Sequence, residues 1–419
     1  MLIGASCQHF VQAFRERQSV TAFLAPLRDG HFLTRQRLTA YPVIFLTGFA
    51  VAIVWLIVTA HGLNDYSGRP LGTDFSSFHA SGQLALSGQN PFDQQALYRA
   101  EQTAFGHATP YYAFAYPPVF LLLTTALAAL PYAAALALWL SLTFLFYLAA
   151  MAALQRAVFE NIAAEKTQFF LAVIAFPAVF INLTHGQNGF LSAALLTFGL
   201  AFLERRPLLA GLCFGLLCFK PQLGLLIPFA LAAGGRWKSF TAATATVLLL
   251  ILSSAALFGV ESWQHFLAAA QFSRVAILDG NAVGYEKMVS VFAAARLWHA
   301  PLALAYGLQA IMSLTALFLT LRLWRGAANM RLKGAALCLG TLLVTPFSMD
   351  YDLMLLAPAL LLVAAEGKKR GFRPYELSLL TLLWLLPLVG RSLAGATHIL
   401  LAPFAILALL LLIGRRAEA

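Results

Sequence analysis

Charge is what this sequence has least of. Lys, Arg, Asp and Glu make up 11% of its 419 residues, against roughly a quarter in soluble globular chains. That scarcity excludes a water-facing domain of this length. Cysteine is sparse as well. Cys7, Cys213, Cys218 and Cys338 show neither the paired spacing of a zinc site nor a disulfide framework, and Cys213 and Cys218 read as packing residues. No G-x-x-x-x-G-K-[S/T], H-E-x-x-H or G-x-S-x-G sequence occurs. ATP-driven transport, zinc hydrolysis and nucleophile-elbow chemistry therefore have no support within the chain. A cleavable signal peptide is not expected either, since the first forty residues are basic and mixed and no small-residue cleavage site follows the first apolar run.

What is abundant is apolar: 60% of residues are hydrophobic and the mean hydropathy is +0.77. Runs long enough to cross roughly 30 Å of hydrocarbon recur along nearly the whole chain. In lipid a backbone has to satisfy its own hydrogen bonds, so such runs are helices. The Leu, Ala and Phe runs lack the period of two that barrel strands need. The expectation is an all-α polytopic membrane bundle, a single integral-membrane domain over 1–419 with about 12 spans. Hydropathy and punctuation place them at 42–60, 134–154, 168–184, 187–203, 208–220, 222–234, 239–259, 302–323, 334–347, 351–365, 376–390 and 394–413. Residues 116–130 read as a re-entrant or surface helix, because counting them as a span would invert everything that follows. The halves 208–220 and 222–234 form a hairpin turning at Lys220-Pro221, each too short to cross without thinning or shelter.

The net charge of +11 does not indicate nucleic acid, because Lys and Arg fall in short segments between apolar runs rather than along one basic face. They read as topology signals. With residues 1–41 a cytoplasmic N-terminal segment, about 21 of the 28 basic residues fall on the inner side. The outer side keeps Arg69, Arg99, Lys220, Arg274, Lys287, Arg296 and Arg391. Both termini are thereby placed in the cytoplasm, and two long loops, 61–116 and 260–301, outside. Loops of that length in a compact bundle tend to be functional.

Four polar motifs gather on that outer side. The first begins at Asp74 and continues through an amphipathic stretch with Phe75, Phe78, Leu84 and Leu86, which suits a helix lying along the membrane surface. From the residues alone Asp74 reads first as that helix's N-cap and second as a general base at the membrane–water boundary. The second motif is Asn182-Leu183-Thr184-His185-Gly186-Gln187-Asn188-Gly189. His185, Gln187 and Asn188 offer more donors and acceptors than a turn needs, which suits sugar hydroxyls. The third is Lys220-Pro221-Gln222. A lysine near hydrocarbon costs on the order of 3 kcal/mol at the bilayer centre; a lipid phosphate is its natural counter-ion, with snorkelling as the alternative. The fourth is Ser348-Met349-Asp350-Tyr351-Asp352, where two carboxylates flanking a tyrosine either position hydroxyls, bind a metal or cap a helix. The Gly-rich segment 279–287 reads as a flap, and Arg391, at the outer tip of the last helical pair, as a second phosphate ligand.

These residues together resemble glycosyltransferase family 87. The resemblance is carried by the Asp-Phe-x-x-Phe run from Asp74 to Phe92, Tyr116-Pro117-Pro118, Gly186-Gln187-Asn188 and Lys220-Pro221-Gln222, in that order. The C-terminal half matches mainly in hydropathy and in the turn 346–352. Where some members carry a histidine in the late outer loop, this chain reads Ser-Met-Asp-Tyr-Asp. The resemblance implies a GT-C-type membrane fold and an inverting transferase with a polyprenyl-phosphate sugar as donor (mannose or another hexose or pentose). The acceptor is a lipid or envelope glycan, and the location the bacterial cytoplasmic membrane with the active site facing outside. It carries the catalytic base onto Asp74. Lys220 and Arg391 are then candidates for the donor phosphate, and His79, His185, Gln187, Asn188, Asp350, Tyr351 and Asp352 for sugar or acceptor. No cofactor is implied, and a divalent metal is not expected. The rival reading is a secondary transporter or lipid-linked-sugar flippase, although no internal repeat of the kind transporters show is visible.

Overall fold

The computed structural model describes residues 25–158 and 166–418; Cys7, Arg15 and Arg17 lie outside them. The described chain is all-helical, without strands. In order, it contains α1 (Arg35–Val58), α2 (Thr73–Leu86), α3 (Gln94–Phe105), α4 (Pro118–Ala128), α5 (Tyr132–Val158), α6 (Lys166–Ile174), α7 (Pro177–His185), α8 (Gly189–Phe202), α9 (Pro207–Leu216) and α10 (Pro221–Gly224). It continues with α11 (Ile227–Ala233), α12 (Trp237–Phe258), α13 (Glu261–Arg274), α14 (Val291–Leu297), α15 (Leu302–Arg325), α16 (Met330–Leu343), α17 (Leu356–Arg370), α18 (Glu376–Thr397) and α19 (Ala402–Glu418).

Five helices, α1, α5, α12, α15 and α18, are long and apolar enough to cross a membrane. The pair α6 and α7, bent by 43°, makes a sixth if it is one span. About 12 spans were expected; the other apolar runs fold as shorter helices because proline and glycine divide them. Pro177 cannot donate to the preceding turn and keeps Phe176 out of the helical region, with φ −59° and ψ 123°, so α6 and α7 meet at an angle. Pro207 and Pro221 each open a helix at its first turn, where a missing N–H costs nothing. The segment after Pro117 gives α4, 11 residues long. At 1.5 Å per residue that reaches about 16 Å, roughly half the hydrocarbon thickness, as a partial insertion would.

Packing sets two ends on the bundle. α5, 27 residues long, spans roughly 40 Å. At its start the Tyr132 hydroxyl donates to Leu71 O at 2.6 Å; at its end Val158 O accepts from Arg331 at 2.9 Å. α8 lies along α5, α9 along α12, and α16 between α17 and α19. The core between them is aliphatic and aromatic and continuous from Phe75 to Ile413.

The segment expected to lie on the membrane surface does something else. Nine of the fourteen residues of α2 are buried, because α4, α3, α5 and α7 all pack against it. A Cβ on Gly82 would stand 2.3 Å from Thr124 O, which shows how closely α2 and α4 approach. The amphipathic pattern was real, but its small Ser, Ala and Gly face is covered by protein instead of water.

Candidate active site

Two glycine turns aim the first polar group. Gly72, φ +68°, precedes α2, and Gly186, φ +62°, ends α7. Both need the left-handed region that glycine enters without strain. The indole of Trp139 donates to Gly186 O at 3.0 Å, so the Gly186 turn, like Leu71, is fixed to α5. Asp74 then falls in the first turn of α2, where the helix dipole favours a negative charge. Gly72 occupies the N-cap position and Asp74 caps nothing, which corrects the first reading of that aspartate. Instead its Oδ2 accepts from Gln187 Nε2 at 2.7 Å. The orientation of that amide is set twice over: Gln187 Oε1 accepts from Asn188 N at 3.0 Å and from the Tyr116 hydroxyl at 3.4 Å, and a carboxylate partner can only accept.

A second group stands beside it. Lys220 is 2% exposed, and its Nζ lies 2.5 Å from Asp352 Oδ1. It also donates to Asn188 Oδ1 at 3.2 Å and sits 4.6 Å above the ring of Tyr351. Asp352 Oδ2 accepts from Met349 N at 3.1 Å. A lipid counter-ion is therefore not needed to neutralise Lys220, because the protein supplies one from 132 residues away. Asp350 and Asp352 do not act as a pair: Asp352 turns inward to the lysine, while Asp350 accepts from Tyr351 N at 2.9 Å. Burial pushes the Asp350 carboxyl up, against the opposing positive charges of His185, Arg391 and Lys287. Among the described residues no three His, Cys, Asp or Glu side chains gather where they could hold a metal.

Asp74, Gln187, Lys220, Asp350 and Tyr351 line one cavity of about 820 Å³. Its remaining walls come from Tyr111, Tyr112 and Tyr116. Arg274, Val283 and Lys287, from the 260–301 segment, line it as well. That segment is tied to the late turn by a two-residue bridge, Met288 with Met349, in which Val289 N donates to Ser348 O at 2.9 Å. The volume suits a sugar with its phosphate.

Five of the residues singled out from the sequence do not line this cavity. Asn188 and Asp352 stand one layer behind it, through Lys220. His79 is buried between α2 and α4, with Nε2 3.0 Å from Leu130 O. His185 holds Thr73 Oγ1 through Nδ1 at 2.7 Å. Arg391 also lies elsewhere. Gly390 is tolerated inside α18, which runs on to Thr397 before His398 ends it at φ +59°. Arg391 is thus not at a helix tip; it is exposed beside a small cleft shared with Glu286 and Asp350.

Two groups escaped the sequence reading. Lys287 lines the cavity and makes no ion pair among the described residues; only its place in a polar Gly-rich segment hinted at it. Glu101 is fully buried on α3, and burial pushes its carboxyl up to about 8. Nothing in the sequence marks it, since a Glu within an otherwise polar helix reads as solvated.

No curated protein and no solved structure matches the chain. A family model described as glycosyltransferase family 87 matches residues 114–346, a range that takes in Tyr116, Gln187, Lys220 and Lys287 and leaves out Asp74 and 350–352. With more than half of the sequence matched, the chain belongs to glycosyltransferase family 87.

Proposed function

We propose that this glycosyltransferase is an inverting enzyme that moves a sugar, mannose or another hexose or pentose, from a polyprenyl-phosphate donor to a lipid or envelope-glycan acceptor. The proposed setting is a bacterial cytoplasmic membrane with both termini inside and the cavity opening outside. That sidedness rests on the basic residues: Arg156, Arg331 and Arg370 stand at the end of the bundle opposite Asp74, as a cytoplasmic face would require.

The observation that carries the chemistry is Asp74, held by Gln187 at 2.7 Å and open to a cavity that also presents cations. Among the described residues Asp74 Oδ1 has no hydrogen-bond partner, so that oxygen can take a proton from an acceptor hydroxyl as it attacks the anomeric carbon. The bond from that carbon to the phosphate oxygen breaks, and its electron pair leaves with the polyprenyl phosphate. Inversion requires base and leaving group on opposite faces of the sugar. Lys287, which lines the same cavity without an ion pair among the described residues, is the cation available for the growing phosphate charge. Lys220, with two of its three N–H directions taken by Asp352 and Asn188, keeps one for the same purpose.

The test is Asp74→Asn in the full-length purified chain, assayed with a panel of radiolabelled polyprenyl-phosphate sugars. The expected result is loss of transfer by at least about a hundredfold, with donor binding and detergent-phase monodispersity retained. Normal turnover in that variant would remove Asp74 as the base.

A further inference from the structure

Glu101 is a carboxyl group without a cation. Its two oxygens have one protein partner each: Oε2 accepts from Tyr112 N at 3.1 Å, and Oε1 lies 3.3 Å from Ser76 Oγ. Among the described residues no Lys, Arg or His forms an ion pair with it. The groups that face it are Asp74 from α2, Tyr111 and Tyr112 from the segment after α3, and Tyr132 from α5. A fully buried charge so placed would be uncompensated.

The hydrogen-bond geometry accommodates the neutral form. Ser76 has one hydroxyl proton, and the carbonyl of Thr73, one turn back on its own helix, is the nearer acceptor at 2.7 Å. When that proton goes to Thr73 O, an ionised Glu101 would set two acceptors against each other at the Ser76–Glu101 contact. A protonated Glu101 donates to Ser76 Oγ through one oxygen and accepts from Tyr112 N through the other. The acid form satisfies both partners and leaves no buried charge without a cation. Burial and the neighbouring charge of Asp74 both favour the same form.

We propose that Glu101 is a positioning residue that works as the neutral acid, tying the first turn of α2 to the Tyr112 backbone and so fixing Asp74 against the cavity wall. Ser76 is two residues from Asp74, and both Tyr112 and Asp74 line the cavity. Held neutral, Glu101 adds no second negative charge behind Asp74, whose own charge favours that neutral form. Raising the pH through about 8 breaks the link and places a second charge behind the base. The proposal takes Asp74 as the base and therefore rests on the reading above.

The experiment compares wild type, E101Q and E101A, as full chains in detergent. Gln keeps one acceptor and one donor in place, so E101Q recovers most of what E101A loses, an expected gap of about a hundredfold in kcat/KM for a misplaced base. Wild type should show an alkaline fall in kcat/KM near pH 8 that E101Q lacks. Two readouts do not depend on turnover. The infrared carbonyl band of a buried protonated carboxyl, titrating near pH 8 in wild type, should be missing from E101Q. Thermal stability of wild type should drop from pH 5 to pH 9 more than that of E101Q, because between about 4.5 and about 8 the folded state holds a proton that the unfolded state does not. An unchanged band and an unchanged pH–stability profile in E101Q would overturn the proposal, as would E101Q being as inactive as E101A. A chain inactive with every polyprenyl-phosphate sugar but with the expected band and stability profiles would sink the donor assignment and leave the neutral Glu101 standing.

Discussion

Two buried ion pairs sit at opposite ends of this bundle and are built differently. At the far end Arg416 grips Glu376 with a two-pronged contact, Nε to Oε1 at 2.7 Å and Nη2 to Oε2. The same guanidinium donates to Gly371 O at 2.7 Å, and Glu376 Oε2 also accepts from Arg373 N at 2.8 Å. Both carboxylate oxygens of Glu376 and two nitrogens of Arg416 end on protein, and the pair joins the last helix to the start of α18. At the cavity end Lys220 and Asp352 have a single contact, and the lysine faces a tyrosine ring and the cavity. Arg forms the closed clamp because its planar fork matches a carboxylate on two sides; Lys forms the open one because an ammonium keeps donors free. The difference teaches that burial of a charge does not by itself mark function. An unfinished set of partners does.

That contrast can be broken first at Asp352. Asp352→Ala strands a buried ammonium and should destabilise the protein by about 3–5 kcal/mol, read as a large fall in thermal midpoint together with lost transfer. The double variant Lys220→Met with Asp352→Leu should recover the midpoint, since a packed apolar pair replaces an ionic one at little cost, but not the turnover. Recovery of both would make the pair structural, like its counterpart. Glu376→Gln should come next. It keeps one acceptor and loses about 1.5–3 kcal/mol, the worth of a charged hydrogen bond, and the surviving folded protein should show unchanged kcat and KM. A shift in KM there would erase the distinction between the two ends. Smallest is Lys287→Ala: KM for the donor should rise about tenfold, near the worth of one charge-assisted contact, with thermal stability unmoved. Equal losses for donor and acceptor would place Lys287 outside the phosphate role.

The same contrast explains what the sequence could and could not tell. The long lipid-facing helices α1, α12 and α15 are legible because a lipid-exposed surface has to be apolar throughout. Leu248, Leu249 and Leu252, for example, all stand exposed on α12. The short helices are harder: 187–203 and 222–234 have the composition of spans but fold as α8 and α11, 14 and 7 residues long, where proline and glycine override hydropathy. At the site, the Gly-Gln-Asn turn and Lys220-Pro221 stood out because polar residues interrupt apolar runs. The pairing of Lys220 with Asp352 did not, because no local pattern reports a contact 132 residues long. Glu101 was invisible for the opposite reason. Its helix, Gln94–Phe105, is polar enough to pass as solvated, and it is the covering by α2 and by the backbone at Tyr112 that buries it.

The length of that loop between Lys220 and Asp352 has a consequence in time. A chain synthesised at about 5–20 residues per second exposes Lys220 roughly 7–26 s before its counter-ion exists, given their separation of 132 residues. During that interval the lysine has only Asn188 and water-facing positions to rely on. The membrane cannot accept it at full depth without a penalty on the order of 3 kcal/mol. The buried partner of Lys220 is therefore supplied only once the residues after Leu343 have been made.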